Sequence, residues 1–544
     1  MGRVFHYDFF SLRGVDIPQW SKAFWWPVPR ETTTRIVTDF HGEIKRLANE
    51  LGHTIEGDCV LIGWHIGTRL AEVVNHYLAV HELRKHSRKI VYSDRLRLIP
   101  MLTGDKPVSF TGENLWSLAR DSRWRGAAKN LLKSFYVNGQ AARLKAMDHL
   151  RSEKCLFAFP NENVRNRPYT RKVSRWVRIT SPEEWLLPDG CGLSPSLKGR
   201  LKEISASYSS FTGDYAREKL GVEMPGRILD PLSGFVAHSL EHIAEVYGSI
   251  QKRVDKNRPS HLLTPTAGKT FIRALSLAVR RAGGKVTGFP HGYFMCHYSS
   301  PRVSIHELST VDEFMAYFPG SVELFYRNIG IHPPARNNPV RIAHENNPVL
   351  AERWSSHSRR AVPGKIRTVI VLELSLELEW TGYHCAEAMV NYDFYFRLCK
   401  SLSDRGYRVI FKRRPTSPGW DGIEFLQGIR NLTVTSEPFE HDSVIGQAEA
   451  VICQYAMSST FYWTMCTNKV VIYVDAGWEP WFEDVYESMS KRCRILHAWY
   501  DEENRQCFDE GELVELLRRP PERPDTEFIE KYFYPASEGS PDLS

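Results

Sequence analysis

The sequence lacks the long hydrophobic segments that cross or enter membranes. No run of 18 apolar residues occurs, so no transmembrane helix is predicted. The first residues, Met1 to Gly14, have no extended apolar core followed by a small-residue cleavage site, and we expect no secretory signal peptide. Both absences lead us to expect a cytoplasmic protein.

Several chemical motifs are also missing. The 10 Cys include no C-x-x-C pair and several lie in apolar runs, which favours reduced, buried thiols over disulfides or zinc ligands. The sequence has no Walker A motif, no G-x-S-x-G elbow and no H-E-x-x-H pair. No other cluster has metal-ligand spacing. We therefore expect no bound cofactor and no metal.

The composition is that of a large soluble globular protein. A length of 544 residues exceeds one ordinary hydrophobic core and predicts two or more domains. The formal charge of +7 is too diffuse to indicate nucleic acid, and it fits an anionic small molecule or an acidic membrane surface. Aromatic residues make up 12% of the chain, including 15 Trp, which is typical of a carbohydrate- or nucleotide-binding cleft or of a large aromatic core.

The first 225 residues are the harder part to interpret. The apolar run 58–63 predicts a buried strand, and the segment 63–68 a turn. A helix is expected over 69–85 and a short strand over 89–93, which together would form a β-turn-α-β unit. Residues 100–225 have no clear periodicity and are predicted to be an irregular insertion.

From residue 228 onward, helical and strand patterns alternate. Gly283 and Gly284 are expected to end the helix before them. The predicted helices of this first domain are 233–254 and 269–282, and its predicted strands are 261–265, 285–289 and 311–317.

A second alternating region follows a segment rich in Pro, Asn, Arg and Ser at 333–365, in which 340–344 can form one more strand. The predicted strands are 367–373, 407–412, 431–435, 450–453 and 469–474, and the predicted helices are 392–404, 442–448 and one from 461. The pattern predicts two Rossmann-like α/β domains facing across a cleft. Their limits are 1–340 for the first domain, 341–365 for the linker, 366–535 for the second domain and 536–544 for a disordered tail.

Ligands of open α/β sheets bind beyond the carboxyl ends of the strands, so the residues at these ends are the candidates. The strand at 285–289 runs into Pro290, His291 and Gly292. This turn would project the imidazole of His291 into the crevice, where it can act as a general base or donate to a phosphate, while Gly292 lets a ligand approach the backbone. A packed loop histidine is the alternative.

Two candidate phosphate contacts lie in the second domain. Lys412, Arg413 and Arg414 end a strand just before Pro415, and three adjacent cations favour a diphosphate, unless they form an ordinary basic surface cluster. Hydroxyl groups of the segment Ser458-Ser459-Thr460 precede a predicted helix, where they can contact phosphate or simply cap the helix.

Weaker candidates are found elsewhere. His65 lies in an incomplete glycine-rich turn and can face an acceptor, and Asp475 follows a strand where it can hold a ribose hydroxyl. Glu373, with Glu377 and Glu379, can contact substrate hydroxyls or be solvated. The segment 165–178 holds six basic and two aromatic residues, which fits an acidic lipid or glycan, although a solvated surface is the more common reading of such a segment.

The order of these motifs resembles GT-B glycosyltransferases of bacterial surface polysaccharide synthesis. Similar families are the capsule Kdo transferases, the polyglycerol-phosphate and wall-teichoic-acid transferases and the bacterial sialyltransferases. Over about residues 260–480, His291 matches a "QHG"-like histidine, Lys412 to Pro415 match a "K-x-HP"-like strand end, and Ser458 to Thr460 match a phosphate-binding "S-S-T" loop. Three departures are Pro290 for Gln, Arg414 for His, and Asn468-Lys469-Val470 for Gly-Lys-Pro.

The resemblance implies a metal-independent transferase that moves a sugar from a nucleotide donor to a capsule or lipopolysaccharide glycan or its lipid-linked precursor. A CMP-linked ulosonic acid is the preferred donor, with UDP- and CDP-sugars open. It also implies a cytoplasmic enzyme, in peripheral contact with the inner membrane through 165–178, that does not bind nucleic acid. The alternatives are a nucleotide-sugar 2-epimerase of the same fold and a non-catalytic glycan- or nucleotide-binding protein.

Overall fold

A computed structural model gives the structure of the chain. The described residues are 4–86, 88–93, 96, 98–106, 155–158, 177–180, 192–264, 270–290, 292, 296–345, 347–374, 388–413, 426–437, 442–477 and 479–534.

The described strands, numbered in chain order, are β1 Val4–His6, β2 Lys89–Val91, β3 Cys155–Ala158, β4 Val177–Thr180, β5 His261–Thr264, β6 Lys285–Gly288, β7 Glu313–Ala316, β8 Arg341–His344, β9 Thr368–Leu372, β10 Arg408–Lys412, β11 Leu432–Thr435, β12 Ala450–Cys453, β13 Val470–Asp475, β14 Arg494–Tyr500 and β15 Gln506–Phe508.

The described α-helices are α1 Ile17–Lys22, α2 Arg30–Glu50, α3 Ile55–Ile62, α4 His65–Lys85, α5 Leu98–Thr103, α6 Pro195–Leu220, α7 Gly226–Asn257, α8 Thr270–Arg281, α9 Pro301–Val303, α10 Ser321–Ile331, α11 Pro348–His357, α12 Ala388–Asp404, α13 Asp442–Ile445, α14 Ser459–Met465, α15 Glu483–Arg492, α16 Glu510–Arg518 and α17 Glu527–Tyr532. Short 3-10 or π turns lie at Phe9–Leu12, Ser304–Leu308 and Ala335–Asn337.

Two large sheets organise the fold. The first has the order β4-β3-β5-β6-β7-β8, and all of its pairings are parallel. The second has the order β11-β10-β9-β12-β13-β14-β15 and is parallel except for its last pairing. All five residues of β9 are buried, as expected for a central parallel strand covered on both faces. The predicted α/β class with two Rossmann-like sheets is therefore confirmed.

The helix that precedes β6 ends as the sequence predicts. Gly283 adopts a left-handed backbone with φ +84°, and the amides of Gly283 and Gly284 donate to the carbonyls of Arg280 and Val279 at 3.0 and 2.9 Å. A Cβ atom on Gly284 would lie 2.4 Å from the Pro259 carbonyl oxygen. Because Gly284 has no side chain, its backbone can lie against the backbone of the segment just before β5.

The prediction of a strand over 58–63 is wrong, because these residues belong to α3. The Thr54 side chain caps this helix by accepting the Gly57 amide at 3.1 Å. A short run in which most residues are apolar carries no periodicity that separates a strand from a buried helix. The predicted β-turn-α-β unit is wrong for the same reason, since β2 follows two helices and pairs with β1 in a separate two-stranded sheet.

Other helix and strand boundaries differ from the predicted ones by a few residues, and the structure contains some elements that the sequence did not predict. The segment 195–220, inside the region predicted to be irregular, is the long helix α6. Strand β8, at 341–344, pairs with β7 and so belongs to the first sheet. Strands β14 and β15 extend the second sheet beyond the last strand that the sequence indicated.

The segment around α17 packs against the first sheet. Phe533, just after α17, stacks on Phe318 with ring centroids 4.1 Å apart, and Phe318 follows β7. A Cβ atom on Gly320 would lie 2.4 Å from the Lys531 carbonyl oxygen, so the two backbones are in close contact. The last helix therefore ties the second half of the chain to the first.

The cysteines whose side chains the structure describes are free thiols: Cys59, Cys296, Cys399, Cys453, Cys466 and Cys493 are buried, and Cys507 is partly exposed. None of the helices in the described part of the chain has both the length and the hydropathy that a membrane crossing requires.

Candidate functional site

Both large sheets reverse their strand order at one point, and such a point is where α/β sheets bind ligands. The second sheet has the Rossmann order, with the reversal between β9 and β12. The first sheet reverses between β3 and β5. The carboxyl ends of β9 and β12 are therefore the places to look for a nucleotide site.

The carboxyl edges of the two sheets meet. Tyr298, in the segment after β6, forms an antiparallel bridge with Trp481, in the segment after β13. The Ser299 amide donates to the Pro480 carbonyl at 2.8 Å, and the Phe482 amide donates to the His297 carbonyl at 3.2 Å. We call residues 297–299 and 480–482 the seam. The loops at the carboxyl ends of the strands of both sheets therefore meet at the seam and border one cleft.

The strand that leads to the predicted histidine is as expected. β6 ends at Gly288, and the buried Phe289 donates its amide to the Thr264 carbonyl at 2.9 Å. Gly292 is buried. His291 lies outside the described residues, so its role in the cleft stays a prediction.

A second histidine near this loop was not singled out from the sequence. His297 is fully buried, and its Nδ1 lies 2.8 Å from the Tyr462 hydroxyl of α14. Its ring stacks on those of Tyr462 and Phe533, with centroids 5.1 and 5.9 Å away. Burial lowers the pKa of His297 to about 3, so the imidazole is neutral. It joins the first sheet to the helix that follows the Ser458 loop.

An ionised pair lies where β9 and β10 end. The Glu373 amide donates to the Lys412 carbonyl at 2.9 Å, which aligns the two strand ends. The Arg413 Nε atom is 3.9 Å from the Glu373 carboxylate, and both side chains are largely buried. Lys412 is also buried, and its ammonium donates to the Arg413 carbonyl. Arg413 therefore supplies a guanidinium group at this edge. Arg414, Glu377 and Glu379 lie outside the described residues.

The predicted phosphate loop follows β12, on the other side of the reversal. Ser458 caps α14, and its hydroxyl accepts the Thr460 amide at 3.2 Å. Ser458, Ser459 and Thr460 are all partly exposed. The loop therefore presents hydroxyl groups at the reversal, with one of them engaged in capping.

Asp475 ends β13, but its carboxylate already has local partners. One oxygen accepts the Gly477 amide at 2.9 Å and the other accepts the Tyr486 hydroxyl at 2.5 Å. The proximity of Asp475 contributes to raising the pKa of Tyr486, after burial. A contact with a ribose hydroxyl stays a prediction for this residue.

Glu479 is a site residue that the sequence did not reveal. Its carboxylate is buried, accepts the Ala456 amide at 3.0 Å and accepts the Tyr473 hydroxyl. Burial, with a smaller contribution from nearby Asp475, raises its pKa to about 7, although the hydrogen bonds from Tyr473 and Ala456 oppose the shift. Glu479 thus joins the loop before Ser458 to the seam, and it can hold or release a proton near neutrality.

His65 begins α4 in the helical N-terminal region. Burial lowers its pKa, and the charges of Arg69 and Arg273 add to this effect. Arg273 is fully buried and donates to the carbonyls of Leu61 and His306 at 2.7 and 2.8 Å. His65 is therefore a neutral imidazole close to the segment that follows the His291 loop.

The last two predictions concern the basic segment 165–178 and metal binding. Residues 165–176 of the predicted basic surface lie outside the described residues, and 177–178 belong to β4. Within the described parts of the chain, His, Cys, Asp and Glu side chains do not gather in groups of three as metal ligands do.

Comparison with known proteins gives little at the level of sequence. No protein-family model matches the chain, and a search of curated proteins returns no match. Among solved structures, the UGT2 protein of Phytolacca americana, complexed with UDP-2fluoro-glucose and pterostilbene, aligns with 67% of this chain and 89% of its own at 11% identity and a TM-score of 0.33. A glycosyltransferase from Rickettsia africae aligns with 70% of this chain and 94% of its own at 10% identity and a TM-score of 0.33.

Proposed function

We propose that the protein is a glycosyltransferase of GT-B architecture that uses a nucleotide-sugar donor. The observation that carries this proposal is the seam, through which the carboxyl edges of two doubly wound sheets border one cleft. A donor on one sheet and an acceptor on the other would then react in a site that excludes water and limits hydrolysis of the donor.

The second sheet is the proposed donor side. Arg413, at the end of β10, would contact the phosphate, and so would the hydroxyls of Ser458 and Thr460, which follow β12 on the other side of the reversal. The preferred donor is a CMP-linked ulosonic acid, of the Kdo or sialic type, which the resemblance in the His291 and Lys412–Pro415 motifs favours. The acceptor would be a surface polysaccharide or its lipid-linked precursor, entering near His65 and His291.

In this reaction an acceptor hydroxyl oxygen attacks the anomeric carbon, and the bond from that carbon to the donor phosphate breaks. His291 would take the hydroxyl proton or donate to the departing phosphate. Arg413 would balance the negative charge that develops on the nucleotide, which is a role that needs no metal ion.

The proposal is tested with purified protein and a panel of CMP-, UDP- and GDP-sugars, by measuring nucleotide release with and without a glycan acceptor. Slow release from one donor, accelerated by an acceptor, is the expected result. Epimerised sugar without nucleotide release would replace the proposal with a 2-epimerase. Absence of any nucleotide-induced thermal shift would leave a non-catalytic glycan-binding protein.

A histidine variant tests the assigned centre of the site. His291→Ala should lower turnover by about 10²- to 10⁴-fold, which is the usual contribution of a general base. His238→Ala, which changes an exposed histidine of α7, is the matched control and should retain full activity. Unchanged turnover in His291→Ala, with an unchanged melting temperature, would remove this residue from the mechanism.

A further inference from the structure

A groove of about 850 Å³ lies at the amino ends of β9, β10 and β11, which is the end of the second sheet away from the cleft. Its lining contains neutral groups that can donate hydrogen bonds, among them Tyr407, Asn431 and Thr433, and it contains no acidic residue. The cations of the lining are Lys365, Arg367, Arg405, Arg408 and Arg518.

Carboxylates partly neutralise this groove from its rim. Arg405 pairs with Glu510 at 2.6 Å, and Arg518 lies 3.8 Å from Glu515. Lys365, Arg367 and Arg408 form no ion pair with any residue that the structure describes. Three exposed cations therefore line one concavity. A third carboxylate, Glu449, accepts the amides of Arg367 and Thr368 at 3.0 and 2.8 Å, so the described carboxylates balance the five cations only in part.

The corresponding cavity of the first sheet is different. It has a volume of about 490 Å³, lies at the amino ends of β6 and β7, and is also lined by cations. There each cation has a carboxylate partner: Arg280 with Asp312 at 2.8 Å, Arg281 and Arg336 with Asp58 at 3.2 and 2.6 Å, and Lys285 with Glu313 at 3.1 Å. The chain thus pairs the cations of the first cavity with carboxylates, whereas three cations of the second groove have no ion-pair partner among the described residues.

We propose that the groove beneath β9, β10 and β11 binds a soluble ligand that carries two or more linked phosphate groups. Arginine suits this chemistry, because its planar guanidinium donates two parallel hydrogen bonds to phosphate oxygens. The volume fits a molecule of nucleotide size rather than a single ion.

A phospholipid headgroup would supply the same chemistry, but the concave shape favours a free ligand over a flat membrane. Moreover, the large apolar side chains that are exposed in the described parts of the chain do not belong to this groove. The surface therefore lacks the apolar residues that would insert between lipids.

The test is calorimetric titration of the full chain with sodium tripolyphosphate. The double variant Arg367→Ala/Arg408→Ala should bind about tenfold more weakly or worse, because each charge-assisted hydrogen bond to phosphate contributes substantially. Both side chains are exposed, so the variant should fold normally, and its melting temperature checks this. The matched control is Lys252→Ala/Lys256→Ala, which removes two exposed charges from α7 and should bind like the wild type.

Two further arms separate this groove from other anion sites. Arg413→Ala alters the cleft, where the proposed transferase would also bind phosphate. Tripolyphosphate binding that persists in Arg413→Ala and is weakened in the Arg367/Arg408 double variant assigns the site to the groove, whether or not the chain is a transferase. Equal binding by the wild type and the Arg367/Arg408 double variant would overturn the proposal. Cosedimentation with phosphatidylglycerol vesicles that the double variant loses, without tripolyphosphate binding by the wild type, would overturn it in favour of a lipid headgroup.

Discussion

The two sheet edges that border the cleft differ in their charge. The described contribution of the first sheet is neutral and aromatic: His297 is uncharged and packed among rings, and Tyr298 faces Trp481. The second sheet contributes ionisable groups, including Arg413 and Glu479. The comparison indicates that the first edge packs against the second through neutral rings, while the described ionisable groups lie on the second edge.

The largest effect is expected from the buried acid of the second edge. The raised pKa of Glu479 means that its neutral form favours folding, so its contribution is present below the unfolded value near 4.5 and is lost as the pH rises through about 7. Glu479→Gln should therefore gain stability relative to the wild type by about 3 kcal/mol between pH 4.5 and pH 8. Urea unfolding at several pH values measures this difference.

The control for that prediction is Glu483→Gln, which removes a carboxylate from the first turn of α15. Its stability relative to the wild type should change little over the same range of pH. A constant difference for Glu479→Gln would show that folding does not raise the pKa of this carboxyl group. The second edge would then hold an ionised carboxylate at neutral pH instead of an acid that is partly protonated.

The next effect concerns substrate binding on the second edge. Arg413→Ala should raise the KM for the nucleotide-sugar donor by about tenfold to a hundredfold, since a charged hydrogen bond to phosphate would be lost. Steady-state kinetics with the donor and the acceptor varied separately measure the effect. Arg217→Ala, an exposed residue of α6, is the control. An increase confined to the acceptor KM would assign Arg413 to the other substrate.

A smaller effect is expected at the first edge. Tyr462→Phe removes the hydroxyl next to His297 Nδ1 and should lower the free energy of unfolding by about 1–3 kcal/mol, because a buried polar atom loses its partner. Chemical denaturation measures the loss. The control is Tyr407→Phe, because the hydroxyl of this partly exposed tyrosine has no hydrogen bond with any described residue. A drop in kcat without a loss of stability would mean that the first edge takes part in the chemistry.

The smallest effect is expected at the surface of the interface between the two halves. Arg327 pairs with Asp484 at 2.5 Å, and both side chains are more than 40% exposed. Arg327→Ala should change stability by less than about 1 kcal/mol, because solvent screens an exposed pair. Thermal melts at low and high salt check this value. A larger loss would mean that packing of the guanidinium over Phe482, 4.2 Å from the ring centroid, matters more than its charge.

The second half of the chain was the more predictable half. Its strands β9, β10, β12 and β13 are continuous apolar runs bounded by polar residues, and these patterns are local. The run 58–63 is equally apolar, yet it forms a helix because Thr54 caps it and helices surround it. A short apolar run indicates that a segment is buried. Whether the segment forms a helix or a strand depends on its capping residue and on the elements that pack around it.

The candidate site was predictable only in part. Glu373, Arg413 and Ser458 lie at or just after the strand ends where the sequence placed them, because the end of an apolar strand is visible in the sequence; their roles stay predictions. His297 and Glu479 carry no comparable local signal. Their properties depend on groups distant along the chain, since His297 contacts Tyr462 and Phe533, and Glu479 accepts the amide of Ala456.

The sequence by itself determined the α/β class, the limits of most strands after residue 228 and the presence of polar residues at their ends, because the hydrophobic period and the turn residues are local properties. Only the tertiary structure decided which strand ends meet across the seam. It also decided that the imidazole of His297 is neutral and that the pKa of Glu479 is about 7. These depend on desolvation and on contacts between distant segments, and both arise only when the chain has folded.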